Sequence, residues 1–157
     1  MPDPSVAELA YAAGIIDGEG CIHISKTQHV RDKRLTMNLH VPVSMPDKCV
    51  IAWLGEMFGG DVSMASRDKL GHSNAWIWRA TDRAAERVLL QVLPYLRAKK
   101  TQAEVGLQFR KLIGAPGIKT PPANVRQRIQ FYWQLREMKR QGKSGWAPLL
   151  REEMALA

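Results

Sequence analysis

Two carboxylates stand out because of where they sit. Asp17 and Glu19 alternate with glycines in Asp17-Gly18-Glu19-Gly20, directly after the apolar run Leu9 to Ile16. That run reads as a helix, and the carbonyl end of a helix carries negative partial charge, where acids are disfavoured. Two acids placed there need a reason, and a bound cation is the simplest one. An Ala-rich core helix with a glycine cap and two solvated acids would share the local pattern. A basic cluster, Arg97, Lys99 and Lys100, precedes another apolar-periodic segment. By type and spacing alone this cluster reads as a solvated helix start. The histidines His23, His29, His40 and His72 have no recognised zinc spacing.

The elements that must position these groups follow from periodicity. Ser5 and Glu8 have the spacing of a capping box, so the first helix starts after Ser5 and ends at the double glycine. It is apolar almost all round, which predicts burial. Ala10, Gly14 and Gly18 recur on one face, and small residues at that spacing allow two backbones to approach closely. Cys21 to His29 then alternates, with Ile22 and Ile24 on one side and His23, Ser25, Thr27 and His29 on the other. After a charged turn at Arg31–Arg34, the segment Arg34 to Ser44 alternates more strictly. Leu35, Met37, Leu39, Val41 and Val43 form its apolar face; Arg34, Thr36, Asn38, His40, Pro42 and Ser44 form the polar one. This is a hairpin with one buried face and one polar face that is poor in acids.

Pro46-Asp47 opens a second helix with Val50, Ile51, Leu54 and Phe58 on its stripe, closed by Gly59-Gly60. Strands are predicted over Asp61–Ala65 and Asn74–Ala80, joined by a basic connection that contains Arg67 and Lys69. Trp76 and Trp78 share a face and read as core; Arg79 lies on the other. Thr81 or Asp82 caps a third helix, Pro94 ends it, and a fourth helix carries Val105, Leu107, Phe109 and Leu112. A Pro/Gly linker over 115–123 leads to a last helix from about Asn124. That helix bears Arg126, Arg128, Arg136, Lys139 and Arg140 against the single acid Glu137, and a loosely ordered tail is expected from Gly142 onward.

The chain of 157 residues can bury a real core, and 45% hydrophobic content excludes a disordered protein. No apolar run is long enough for a membrane span. The first dozen residues hold two acids and no Lys or Arg, unlike a secretory signal, and two cysteines in no metal-type spacing suit a reducing compartment. A cytoplasmic or organellar-matrix location is expected. With 23 Lys and Arg against 15 Asp and Glu, the formal charge is +8, which fits a polyanionic partner.

Ala13-Gly14-Ile15-Ile16-Asp17-Gly18-Glu19-Gly20 resembles the signature of the LAGLIDADG homing endonucleases, whose common variant ends Asp-Gly-Glu-Gly. The resemblance extends to Ala75-Trp-Ile-Trp-Arg-Ala-Thr81 and to Leu93-Pro-Tyr-Leu-Arg-Ala-Lys-Lys-Thr-Gln-Ala103, and covers roughly residues 5 to 113. It implies an α+β fold, an αββαββα core over residues 1–114 with a four-stranded antiparallel saddle, followed by a basic C-terminal helix and tail over 124–157. There is one copy of the motif, so the resemblance implies a homodimer through Ala10, Ala13, Gly14 and Asp17. Asp17 is expected to satisfy backbone groups near the helix end.

The implied activity is metal-dependent cleavage of double-stranded DNA at a long, pseudo-palindromic site. Glu19 and the Gly18 carbonyl would hold Mg²⁺, or Mn²⁺, or Ca²⁺ without cleavage, and Lys99 would stand at the centre of the reaction. The polar face would read bases through His23, Ser25, Thr27, His29, Arg34, Thr36, Asn38, His40, Arg67, Lys69 and Arg79. The last helix, Arg126 and Arg128 included, would contact phosphates. One departure is visible: Met45 stands where many members place a polar, water-positioning residue, leaving Ser44 or Asp47 for that role. A splicing maturase holding intron RNA and a non-cutting DNA-binding regulator are the alternatives on the same scaffold. The retained Glu19 and Lys99 favour cleavage.

Overall fold

A computed structural model describes residues 3–65, 75–114 and 120–144, the last four by backbone only. The elements run α1 (Val6–Glu19), β1 (His23–Gln28), β2 (Leu35–Met45), α2 (Lys48–Phe58), β3 (Asp61–Ala65), β4 (Ala75–Thr81), α3 (Arg83–Val92), α4 (Lys100–Lys111) and α5 (Pro122–Ser144). The strands form one antiparallel sheet in the order β1-β2-β4-β3. The expected α+β architecture is therefore present, with α4 and α5 added after the αββαββα core.

Alternation decides the two faces of the sheet. Ile22, Ile24, Met37, Leu39, Val41, Val43, Trp78 and Ala80 point to the helical side and are buried. In the paired registers His23–His40, Ser25–Asn38, Thr27–Thr36, Pro42–Arg79 and His40–Thr81, the side chains point the other way. Against the inner face pack Ala12, Ala13 and Ile16 of α1, Ile51 and Leu54 of α2, Val88 and Leu89 of α3, and Val105 and Phe109 of α4. Trp78 is fully buried and donates to the Gly59 carbonyl at 2.7 Å, as a core tryptophan should. Trp76 is half-buried beside it, with the Lys48 ammonium 4.7 Å from its ring centre. Gly60, at φ 91°, lets the chain turn back onto β4; a Cβ there would meet the Arg79 carbonyl at 2.6 Å.

The helix starts follow two different rules. Ser5 and Glu8 make the expected capping box on α1, and Asp47 accepts from the N–H groups of Cys49 and Val50 on α2. Asp82 does not cap α3. Its backbone is at φ 49°, and its carboxylate turns away from the helix toward β2 and α4. The last helix begins two residues before Asn124, with Pro122 in its first turn where a missing N–H costs nothing. It continues through Gly142 to Ser144, where a loosely ordered tail is expected from the sequence to begin; the later residues, Trp146 and Leu149 included, lie outside the described residues.

α5 packs on α4 and β1. Leu135 is buried there, and the Lys26 ammonium sits 5.1 and 5.4 Å from the ring centres of Tyr132 and Trp133. Arg128 is turned into this seam. It donates to the Leu112 carbonyl, its Nε is buried without a partner, and burial together with nearby Arg110 lowers its pKa. Its expected place on a phosphate-facing surface is thus corrected: the guanidinium is engaged within the chain.

Candidate functional site

The acidic end of α1 is held by a reciprocal clasp. The Asp17 carboxylate accepts from three successive backbone N–H groups, Arg97 at 2.7 Å, Ala98 at 3.2 Å and Lys99 at 2.9 Å. These lead into α4, whose own N-cap residue, Lys99, offers no side-chain bond. Asp17 thus caps a helix some 80 residues away, where a negative charge is favoured by the helix dipole. In return the Lys99 ammonium donates to the carbonyls of Ile16, at 3.0 Å, and Asp17. The last turn of α1 has no basic residue of its own, so Lys99 supplies the charge that its carbonyl end lacks. Asp17 does satisfy backbone groups, as expected, but those of α4.

This clasp determines which oxygens remain. Ile16 and Asp17 carbonyls are engaged; the Gly18 carbonyl takes no bond from another element, and Glu19 is exposed with no hydrogen bond or ion pair among the described residues. One anionic carboxylate and one carbonyl at a helix end are hard oxygen donors that suit Mg²⁺ or Ca²⁺. They are too few to enclose a cation alone, and among the described residues no cluster of three His, Cys, Asp or Glu could do so. Gly20 closes the turn: its N–H donates to the Ile16 carbonyl at 3.0 Å, and a Cβ there would stand 2.7 Å from that same oxygen.

A cavity of about 340 Å³ lies beside Lys99, lined by Gly20, Cys21, Ala98, Gln102, Met138 and Lys139. Lys139, from α5, therefore faces the same centre as Lys99. Sequence reasoning placed Lys139 only on a general basic face; its spacing from Arg136 was the available signal, since i and i+3 share a helix side.

The small-residue face of α1 divides in two. Ala10, Gly14 and Gly18 are exposed, and a Cβ at Gly14 or Gly18 would meet nothing within 4 Å. Val6 and Tyr11 flank them at 67% and 54% exposure, values high enough to mark an uncovered apolar face. A groove lined by Ala7, Glu8, Tyr11, Cys49, Val50 and Trp53 adjoins it. Ala13 is fully buried in the core of its own chain, and the Asp17 carboxylate is turned to α4. Of the four residues expected on a dimer face, Ala10 and Gly14 are exposed, Asp17 is partly exposed and Ala13 is buried.

The polar sheet face is less open than its sequence suggests. Both ring nitrogens of His40 are engaged, Nδ1 with the Thr81 hydroxyl at 3.1 Å and Nε2 with the Ser25 hydroxyl at 3.0 Å. His23 stacks on His40 with ring centres 5.1 Å apart. The Cys21 thiol lies 3.5 Å from His23 Nδ1. His29 Nε2 meets the Thr36 hydroxyl at 3.0 Å, and Asn38 donates to Asp82. Arg34 bonds Asp32 in the hairpin turn, while Thr27 and Arg79 are exposed. Arg67 and Lys69 lie outside the described residues. Asp47 is committed to capping α2, which leaves Ser44, on the outer face opposite Ile77, as the polar group nearest Met45.

Burial holds the His23 imidazole down to about 4, assisted by His40 and by the cations Lys139 and Arg79. Burial also lowers His40, partly opposed by Asp82. Unfolded, His23 titrates near ~6.5, so the unfolded chain takes up its proton first. The stability that neutral His23 provides is complete above about pH 6.5 and is lost as pH falls towards 4. We expect the Tm to decline over that window and His23→Gln to flatten the decline. Superimposable Tm–pH curves for the two proteins would contradict this.

No protein-family model and no curated protein matches the sequence. Solved structures do match in fold. The homing endonuclease I-CvuI, in complex with its target, aligns over 84% of this chain and 82% of its own with a TM-score of 0.71 at 19% identity. The archaeal intron-encoded homing endonuclease I-Vdi141I, complexed with DNA, aligns over 84% of both chains with a TM-score of 0.70 at 14% identity. The LAGLIDADG homing endonuclease I-LtrWI, bound to target DNA, matches 83% of this chain but 45% of its own, with a TM-score of 0.65 at 16% identity. The fold is that of the LAGLIDADG homing endonucleases. The aligned part of this chain spans 82% of I-CvuI and 45% of I-LtrWI. No helix among the described residues is long and apolar enough to cross a membrane.

Proposed function

We propose that this protein is a homodimeric, divalent-metal-dependent endonuclease that cuts double-stranded DNA at a pseudo-palindromic site. The observation that carries this reading is the clasp between Asp17 and Lys99. It leaves Glu19 exposed, with no partner among the described residues, at the end of α1, beside an uncovered apolar helix face and next to an acid-poor sheet face. Two copies meeting along Ala10, Gly14 and Gly18 bring two Glu19 carboxylates together. Glu19 and the Gly18 carbonyl of each copy would hold a hard cation such as Mg²⁺, which would supply an activated water and neutralise charge on the phosphate. Lys99 holds the carbonyls that precede Gly18 and so fixes the direction of the free one. The outer face of the sheet lies against the bases, and the net charge of +8 provides the non-specific attraction. The match to about half of the I-LtrWI chain supports two copies per functional unit.

Gly14→Leu tests the arrangement. A Cβ there meets nothing within 4 Å among the described residues, and leaving glycine gains roughly 0.5–1 kcal/mol of helix propensity. The variant is expected to remain folded, to sediment as a monomer, and to lose cleavage. A dimeric Gly14→Leu protein with full activity would rule out this face as the contact.

A further inference from the structure

Asp82 occupies the position before α3, where an aspartate ordinarily accepts from the helix N–H groups. It makes no such bond. Instead its backbone stands at φ 49°, a strained value for a residue with a side chain, and such strain persists only where surroundings over-determine it. The surroundings here are specific. Asp82 Oδ1 accepts from the Leu39 N–H at 3.1 Å and lies 3.5 Å from Arg110 Nη1. Glu86 holds the same guanidinium through Nε at 3.3 Å. Arg110 is nearly buried, at 8% side-chain exposure, so it cannot swing out and release the carboxylate. The remaining oxygen, Oδ2, accepts from Asn38 Nδ2 at 2.5 Å.

Asn38 lies on the outer face of β2, opposite Ser25 and between buried Met37 and Leu39. A carboxylate has no proton to give, so the Asn38 nitrogen, not its oxygen, must face Asp82. One N–H of that nitrogen is taken. The amide nitrogen carries a second N–H, and the carbonyl Oδ1 has no hydrogen bond among the described residues. That donor–acceptor pair matches N7 and the N6 amine of adenine in the major groove. The neighbours offer less, because His40 is bonded at both nitrogens and the Thr36 hydroxyl is engaged with His29.

We propose that Asp82 is a positioning residue for base recognition, holding Asn38 as a preformed adenine reader on the outer face of the sheet. This rests on the reading of that face as the DNA-binding surface. Fixing the amide before DNA arrives removes the ordering cost at binding and penalises bases that present the wrong pattern. Asp82 itself touches no base.

The test is base preference in Ca²⁺, measured on duplexes selected by the wild-type protein, with every position then changed to each other base pair. Wild type, Asn38→Ala and Asp82→Asn are compared, with thermal unfolding as a control for folding. The wild type is expected to prefer A·T at one position per half-site by about 10- to 100-fold, the range of a good bidentate contact. Asn38→Ala should abolish that preference and leave the other positions as sharp as before. Asp82→Asn should lose most of the same preference at the same position. Asn38→Ala, which disturbs no backbone bond of Leu39, tests the reader itself, and if Asp82→Asn does not fold, Asp82→Glu, which keeps the charge and moves the carboxylate, takes its place with the same expected loss. An Asn38→Ala protein with an unchanged profile overturns the proposal. So does an Asp82→Asn protein that loosens many positions equally, since that is what mere support of the sheet would produce. A wild type that selects no duplex at all defeats the functional reading itself.

Discussion

Glu19→Gln is expected to bind the proposed duplex target as tightly as the wild-type protein and to cut it about a thousandfold more slowly. Glutamine keeps the size of the side chain and removes its charge. The proposed cation then loses its only anionic ligand from this chain, because the other free donor is the neutral Gly18 carbonyl. Charge stabilisation by a bound metal contributes several kcal/mol to such a transition state, and about 4 kcal/mol corresponds to three orders of magnitude. Binding is spared because Glu19 is exposed and supports no other group of the fold. Removing a negative charge beside phosphates also does binding no harm. Single-turnover cleavage in Mg²⁺ and equilibrium binding in Ca²⁺ separate the two effects. Equal cutting by both proteins would exonerate Glu19.

Asp17→Ala has the largest expected effect on stability. It strips the acceptor from three backbone N–H groups, those of Arg97, Ala98 and Lys99, at the start of α4. Loss of a cap costs about 1 kcal/mol, and bonds to a charged acceptor cost more, so a total of about 2–3 kcal/mol is expected. For a chain of this length that lowers the Tm by roughly 5–10 °C. Asp17→Asn retains one acceptor and should lose about half as much. Because Lys99 is part of the same clasp, Asp17→Ala is also expected to slow the proposed cleavage while leaving base preference unchanged. A Tm within one or two degrees of wild type would show that the 97–99 turn is held by something else.

Local pattern alone made much of this fold legible. The capping box of Ser5 and Glu8, the alternation of Leu35 to Val43 and the paired tryptophans of β4 each depend on neighbours in sequence, and each stands as expected. What escaped depends on distance. α1 is apolar on nearly every side, so its sequence could not say that Ala13 faces its own core while Ala10 and Gly14 face outward. Asp17 meets its partners 80 residues on, and Asp82 reaches 44 residues back. Arg128 looked like any other cation of α5 until the Leu112 carbonyl lay beside it. Polar alternation likewise announces a polar face without telling which groups are already bonded to one another; His40 and Thr36 are, and Thr27 and Arg79 are exposed.

The most direct test of the central claim is cleavage of a randomised duplex library by the wild-type protein in Mg²⁺, with the cut ends sequenced. A metal-dependent homodimer predicts cutting of both strands within one near-palindromic sequence, abolished by chelation of the metal. Tight selection of duplexes that are never cut, or cutting at sites without two-fold symmetry, would contradict it.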